Sequence, residues 1–248
     1  MNLAGARIVV TGGAKGIGFA TAEALVAADA VPILLDMDEA AVRQAASQLN
    51  CPWHSVDVTS AEQVDATVAL VCERHGVPQG VVNNAGILRS APLINIASRE
   101  DGRHPLELWQ SVIDTNLTSV FLVTRAFADR MVRSRVRGVV VNMSSVSARG
   151  NMGQCAYAAA KAGVEAMTSV WAKELGPLGL RFVSVAPGFV DTPSTRDAVP
   201  ANVLDTLRRE TPLRKLGKPE QIAQAILFAL TNDMITGATI PVDGGLVI

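Results

Sequence analysis

The sequence predicts an α/β fold, one domain over residues 1–248, in which about seven parallel strands form a doubly wound sheet with helices on both faces. Three observations carry that expectation. Short apolar runs such as Ile8-Val9-Val10 and Ile33-Leu34-Leu35 alternate with helical patterns along the whole chain. The first run feeds into the glycine turn Thr11-Gly12-Gly13-Ala14-Lys15-Gly16-Ile17-Gly18, which opens an Ala-rich helix. The second ends in Asp36, 18 residues after Gly18.

Taken in order, strands are expected near 7–11, 31–36, 53–57, 80–83, 138–143, 181–186 and 238–242. They read as apolar runs rather than alternating ones, as suits strands covered on both faces. Helices are expected over 16–28, 39–49, 60–75, 106–133, 154–175 and 219–231, with a shorter one near 201–210. Two segments read as loops. Residues 89–105 carry charges with Gly102 and Pro105, and residues 188–200 carry Gly188, Pro193 and Pro200. Ligands of open α/β sheets bind outside the carboxyl ends of strands, so 188–210 is the expected substrate lid. The 89–105 segment reads equally as a surface excursion.

Composition narrows the class. At 49% hydrophobic residues the chain can form a sizeable core, yet no stretch reaches the ~18 apolar residues of a membrane span. A formal net charge of −1 leaves no global footprint for nucleic acid or anionic membrane. The N-terminus runs into the first strand without a signal-peptide pattern, and Cys51, Cys72 and Cys155 lack metal-ligand spacing. Both features fit a cytoplasmic protein with no metal. His54, His75 and His104 fall outside every motif, so no histidine catalysis is expected.

The glycine turn between strand and helix is a phosphate cradle. Its glycines let the backbone approach a pyrophosphate, and the first N–H groups of the helix offer a partial positive charge. Asp36 stands where a carboxylate would grip the hydroxyls of an adenosine ribose. Further along, Tyr157 and Lys161 lie four residues apart in an alanine-rich run and share one helix face. A phenol with a pKa of about 10 is a weak acid or base at neutral pH, and a nearby ammonium favours the phenolate. The pair is therefore expected to be a proton-transfer tyrosine whose pKa the lysine lowers.

With these residues the chain resembles the short-chain dehydrogenase/reductase family over essentially its whole length. Its glycine motif is the family's G-x-x-x-G-x-G, at Gly12, Gly16 and Gly18. Asp57-Val58, Asn83-Asn84-Ala85-Gly86, Asn116, Ser144-Ser145, Tyr157 with Lys161, Pro187-Gly188 and Val242-Asp243-Gly244-Gly245 follow in the family's order. The resemblance implies a Rossmann fold and hydride transfer between a nicotinamide cofactor and a secondary alcohol or ketone. It makes Tyr157 the general acid in reduction and the general base in oxidation. Lys161 would also hold the nicotinamide ribose, and Asn116 would support a water-mediated proton path to it. Lys15 and Ile17 join the glycines at the phosphates, while Asp57 and Val58 resemble the adenine pocket. Asn84, Ala85 and Gly86 resemble the stretch beneath the ribose; Pro187, Gly188, Val190 and Thr192 resemble the nicotinamide end.

The catalytic serine has two readings. The strand-end motif Asn142-Met143-Ser144-Ser145 selects Ser145, 12 residues before Tyr157, whereas the commonest family spacing selects Ser144. We favour Ser145, because the strand end fixes geometry and a loop can lose a residue. Asp36 favours NAD by repelling a 2′-phosphate, while Lys15 is a residue that NADP users often carry, so NADP remains possible.

Within the family, Gln154 and the Gly150-Asn151 loop resemble 3-oxoacyl-thioester reductases. Residues 89–105 and Thr192-Pro193 are closer to 3-hydroxyacyl-CoA and hydroxysteroid dehydrogenases. The expected substrate is an apolar-substituted secondary alcohol or ketone, foremost a 3-hydroxyacyl or 3-oxoacyl thioester. A hydroxysteroid or small secondary alcohol is the alternative. A silent sensor of the nicotinamide pool is a third reading, disfavoured because Asn116, Ser145, Tyr157 and Lys161 are all present. Apolar positions on the helices at 106–133 and 154–175 (Leu117, Val120, Phe121, Val164, Met167, Trp171) and the apolar C-terminus lead us to expect a homotetramer.

Overall fold

A computed structural model describes residues 1–98 and 101–248. Among these residues, seven parallel strands form one sheet in the order β3-β2-β1-β4-β5-β6-β7. The strands are β1 (Arg7–Thr11), β2 (Val31–Asp36), β3 (Trp53–Ser55), β4 (Gly80–Asn83), β5 (Gly138–Met143), β6 (Leu180–Pro187) and β7 (Ala238–Val242). The order reverses between β1 and β4, which opens a crevice at their carboxyl ends.

The side-chain alternation of each strand feeds two separate cores. Ile8 and Val10 of β1 point to the face covered by α1 (Gly16–Ala27), α2 (Glu39–Leu49) and α9 (Pro219–Thr231), where Leu25, Val42, Ile222 and Ile226 are buried. Val9 points to the other face, with Val68 of α3 (Ala61–His75), Phe127 of α5 (Ser119–Arg133) and Phe182 of β6. Both cores are apolar, and each fully buried large side chain contributes about 1.5–3 kcal/mol relative to exposure. That double covering is why the strands read as unbroken apolar runs.

Local signals set the helix ends. Asp38 caps α2 by accepting from the Ala41 N–H at 3.0 Å, and Asn50 closes it in the left-handed region. Ser60 caps α3 by accepting from the Gln63 N–H, and Gly76 follows its last turn.

The structure departs from the expected elements in three places, and a fourth segment keeps its expected loop character. The helix expected over 106–133 is three pieces: α4 (Leu106–Ile113), a π-helical turn at Asp114–Thr118, and α5. The expected strand 53–57 stops at Ser55, because Val56 donates to Asp36 O and the Asp57 carboxylate then folds the chain around Thr59. The loop expected over 188–200 contains α7 (Pro193–Ala198), started by Thr192 as its N-cap; α8 (Ala201–Glu210) follows it. Residues 89–105 form a hairpin-like excursion through the Ile94–Arg103 bridge, apart from Arg99 and Glu100, which lie outside the described residues.

Candidate active site

The glycine turn links β1 to α1 through backbone that only glycine adopts easily. Gly12 and Gly16 have φ of +61° and +56°. A Cβ on Gly12 would stand 2.9 Å from Ala85 Cα, so the turn presses against the end of β4. Asn84 fastens the two together: its Nδ2 donates to Thr11 O and Gly12 O, both at 3.0 Å. Thr11 Oγ1 accepts from the Asn84 and Ala85 N–H groups in return. The N-terminus of α1 thus faces the crevice with first-turn N–H groups that have no intrahelical acceptor, as a phosphate group requires.

Asp36 ends β2 with its carboxylate held by two backbone donors, Ala14 N–H and Asp38 N–H, both at 3.1 Å. Lys15 pairs with Asp38 at 2.9 Å, its side chain two-thirds exposed. The pair raises the lysine pKa, and the Ala41 N–H together with Lys15 lowers that of Asp38. Asp57 has two sets of neighbours. It faces the crevice with Val58, and its Oδ1 accepts from the N–H and hydroxyl of Thr59.

Across the crevice, β5 and α6 (Cys155–Leu175) converge. Tyr157 lies in the first turn of α6, half-buried, with the Ser145 side chain beside its phenol. Burial pushes this phenol above its ordinary value, and the Ser145 contact pulls it part of the way back. Lys161 is buried, 5.6 Å from the Tyr157 ring centre, and its ammonium donates to Met143 O at 2.7 Å. Burial lowers its pKa to about 8. This corrects the expectation that the lysine draws the tyrosine down: the ammonium is turned to a main-chain carbonyl, and desolvation of the phenolate is the larger effect.

The two serines point in different directions. Ser144 is buried, and its hydroxyl donates to Glu165 Oε1 at 2.7 Å. Ser145 caps a short 3₁₀ turn, Val146–Arg149, and turns its hydroxyl toward Tyr157. Asn116 sits in the π turn, where Ser119 N–H reaches Asp114 O instead of the normal α-helical acceptor. Its amide exchanges hydrogen bonds with the backbone of Ile87, accepting at 3.2 Å and donating at 3.0 Å. A π turn in the middle of a helix is a frequent mark of a functional site.

These elements surround one cleft of about 500 Å³. Every residue expected at the site borders it except Gly18. Gly18 lies behind the cradle, where a Cβ would stand 2.1 Å from Gly12 O, so its work is packing rather than contact. Pro187, Gly188, Val190 and Thr192 form the wall after β6, and Thr192 Oγ1 accepts from Thr195 N–H as the cap of α7. The sequence reading missed Ile87, Leu88, Val146 and Phe189, apolar residues that line the same cleft. Leu88 and Phe189 also pack on a small separate core of Val199, Leu204 and Leu216, which joins α7 and α8 to the body. No motif marks them; only their place just after strand ends could have.

A glycine cradle at a strand-order reversal, a carboxylate at the end of β2 and a Tyr-Ser pair beside buried Lys161 fit a dinucleotide-dependent oxidoreductase. A family model described as Enoyl-(Acyl carrier protein) reductase matches residues 12–247. The chain is 38% identical to a 3-oxoacyl-[acyl-carrier-protein] reductase of Thermotoga maritima, over 100% of both chains. It is 36% identical to the human 3-hydroxyacyl-CoA dehydrogenase type-2, over 96% of this chain and 94% of the relative. A crystal structure described as ribose-5-phosphate isomerase from Brucella melitensis 16M superposes with a TM-score of 0.91 at 34% identity, covering 98% of this chain and 93% of that one. The chain belongs to the short-chain dehydrogenase/reductase family. The names of its relatives span reductases, a dehydrogenase and an isomerase, so the reaction must be argued from the site.

Proposed function

We propose that this protein interconverts a 3-hydroxyacyl and a 3-oxoacyl thioester with a nicotinamide cofactor, preferring NAD. The observation that carries the reading is the convergence of Tyr157, Ser145 and buried Lys161 on one cleft, facing the glycine cradle across it. The bound nicotinamide supplies the hydride acceptor or donor. Ser145 holds the reacting oxygen by hydrogen bond. Tyr157 takes the hydroxyl proton in oxidation and returns it to the alkoxide oxygen in reduction. Lys161 supplies the positive charge next to the phenol, and Asn116 holds the Ile87 backbone and the π turn in register with it.

Gly12, Gly16 and Ile17 receive the pyrophosphate, with Gly18 supporting the turn from behind. Asp57 and Val58 border the adenine, and Asn84, Ala85 and Gly86 lie along the ribose. Pro187, Gly188, Val190 and Thr192 border the nicotinamide. Asp36 supports NAD. Lys15, the one residue arguing for NADP, is occupied by Asp38, so the corner where a 2′-phosphate would sit keeps a net negative charge. The apolar residues Ile87, Leu88, Val146 and Phe189 suit an acyl chain, and α7 and α8 on their own small core suit a lid over 188–210.

The reading includes a homotetramer in a reducing cytosol. Phe121, Val170 and Val247 are exposed, and Leu117, Met167 and Trp171 are partly so. Val120 and Val164, expected on the same outer stripe, are instead buried within the protomer, because that side of each helix packs inward. The three cysteines are free, and no helix among the described residues is long and apolar enough to cross a membrane.

The test is a panel of 3-hydroxyacyl thioesters, hydroxysteroids, small secondary alcohols and ribose 5-phosphate, with NAD and NADP, read by nicotinamide absorbance. Turnover is expected on the thioesters with NAD. In Tyr157→Phe that turnover should fall by about 10²–10⁴-fold with cofactor affinity kept. Cofactor binding without turnover on any member would overturn the reading in favour of a sensor.

A further inference from the structure

The carboxyl end of β5 and the inner stripe of α6 are joined by a series of polar contacts. Asn142 Nδ2 donates to Thr168 Oγ1 at 2.8 Å. The Lys161 ammonium donates to Met143 O at 2.7 Å, and Ser144 Oγ donates to Glu165 Oε1 at 2.7 Å. Lys161, Glu165 and Thr168 follow each other at helical spacing and occupy one stripe. Tyr157 extends that stripe by one more turn toward the helix N-terminus. On the strand side the partners run 142, 143 and 144, and the next residue is Ser145, which meets Tyr157. Strand and helix run in opposite directions, so the contacts act as a register between the element carrying the serine and the element carrying the tyrosine.

Glu165 is the carboxylate of this series, and the chemistry above gives it no role. Ser144 is buried and donates to the Glu165 carboxylate, with Lys161 O as a longer acceptor at 3.4 Å. Ser144 N–H is meanwhile taken by Val185 O at 2.7 Å, so the residue is held from both sides. With the Ser144 side chain tied to Glu165, the next residue carries its hydroxyl toward Tyr157, two helical turns nearer the N-terminus of α6.

We propose that Glu165, through Ser144, is a positioning residue that sets the Ser145–Tyr157 geometry. The proposal rests on the oxidoreductase reading. Removing the carboxylate leaves the Ser144 hydroxyl free to turn and loosens the strand end by fractions of an ångström. Misplacement of a catalytic group on that scale costs rate rather than cofactor binding.

The experiment is a set of variants assayed with a turned-over substrate of the panel. Glu165→Ala is expected to lower kcat about tenfold. Cofactor Kd and thermal midpoint should stay near wild type. Glu165→Gln, which keeps an acceptor oxygen, restores most of the rate. Ser144→Ala matches Glu165→Ala, and the double variant is no worse than either, since both break one contact. In a Ser145→Ala background, Glu165→Ala has no further effect on kcat, a result that general loosening of the fold would not produce. Full activity in Glu165→Ala, or an equal loss with and without Ser145, overturns the proposal. A Ser145→Ala variant with wild-type kcat would instead remove the proposed role of Ser145, a separate and recognisable outcome.

Discussion

Gly18 offers the sharpest structural test of the cofactor cradle, because it touches no ligand space and yet tolerates no side chain. A Cβ placed there stands 2.1 Å from Gly12 O and 2.6 Å from Asn84 Nδ2, inside the 3.0 Å that real Cβ contacts respect. Both obstacles belong to one locked unit, since Asn84 Nδ2 donates to Gly12 O and Thr11 O at 3.0 Å each. Relief therefore requires the Gly12 carbonyl to move by about 1 Å, which breaks at least one of those hydrogen bonds. Overpacking of this kind costs about 1–3 kcal/mol. In a chain of this length that is a fall in Tm of roughly 2–12 °C. The cradle moves with the carbonyl, so cofactor Kd should rise at least about tenfold, since binding groups need placement within about 0.5 Å. Gly176 is the control: its φ is −55° and nothing lies within 4 Å of its Cβ position. Gly176→Ala should leave Kd unchanged, with any stability change confined to the local backbone before Pro177. Thermal unfolding and a fluorescence titration with nicotinamide dinucleotide read both quantities. If Gly18→Ala bound cofactor as wild type does, the locked-turn account of the cradle would be refuted.

Three further outcomes follow from the geometry. Asp38→Ser keeps a cap for α2 but releases Lys15, so the NADP-to-NAD ratio of kcat/KM should rise by about threefold to fivefold, the scale of one exposed ion pair, and Lys15→Ala should cancel the rise. An unchanged ratio would mean that Asp36 alone sets the preference. Burial of Lys161 lowers its pKa from an ordinary 10.5 to about 8, so the folded chain holds one proton fewer than the unfolded chain between those values. Its desolvation penalty is complete below pH 8 and is relieved as pH rises through the window. Lys161→Met should therefore be more stable than wild type at pH 7, with the gap in Tm closing toward pH 10; a gap independent of pH refutes the assignment. Light scattering at micromolar concentration should return a mass near four times the 26.0 kDa chain, and a stable mass near 26.0 kDa would remove the tetramer.

Much of this fold was legible because strand burial and glycine chemistry are local. β1, β2, β4 and β5 begin and end where their apolar runs do, since each run is covered on both faces and stops where the chain meets the crevice, and the edge strand β7 follows its run although it is only partly covered. The departures have causes that lie elsewhere in the chain. Nothing in Asp114-Thr115-Asn116-Leu117-Thr118 breaks helical spacing. The extra residue in that turn accompanies the two bonds of Asn116 to Ile87, 29 positions away in sequence. Likewise Val120 and Val164 read as outward apolar positions, because spacing alone does not say which side of a helix meets the sheet.

The site was legible in its residues and less so in its electrostatics. A lysine four residues after a tyrosine puts both groups on one helix face, and from that alone the ammonium should favour the phenolate. Folding adds two facts that spacing cannot contain. The face is buried, which raises the tyrosine and lowers the lysine, and Met143 O accepts the ammonium proton that would otherwise be directed at the ring oxygen. The serine pair shows the complementary case. Counting from Tyr157 and anchoring on the strand end favoured different residues, and the question turns on a third residue, Glu165, far along the next helix. Because Glu165 takes the Ser144 hydroxyl, the hydroxyl left to face Tyr157 is that of Ser145.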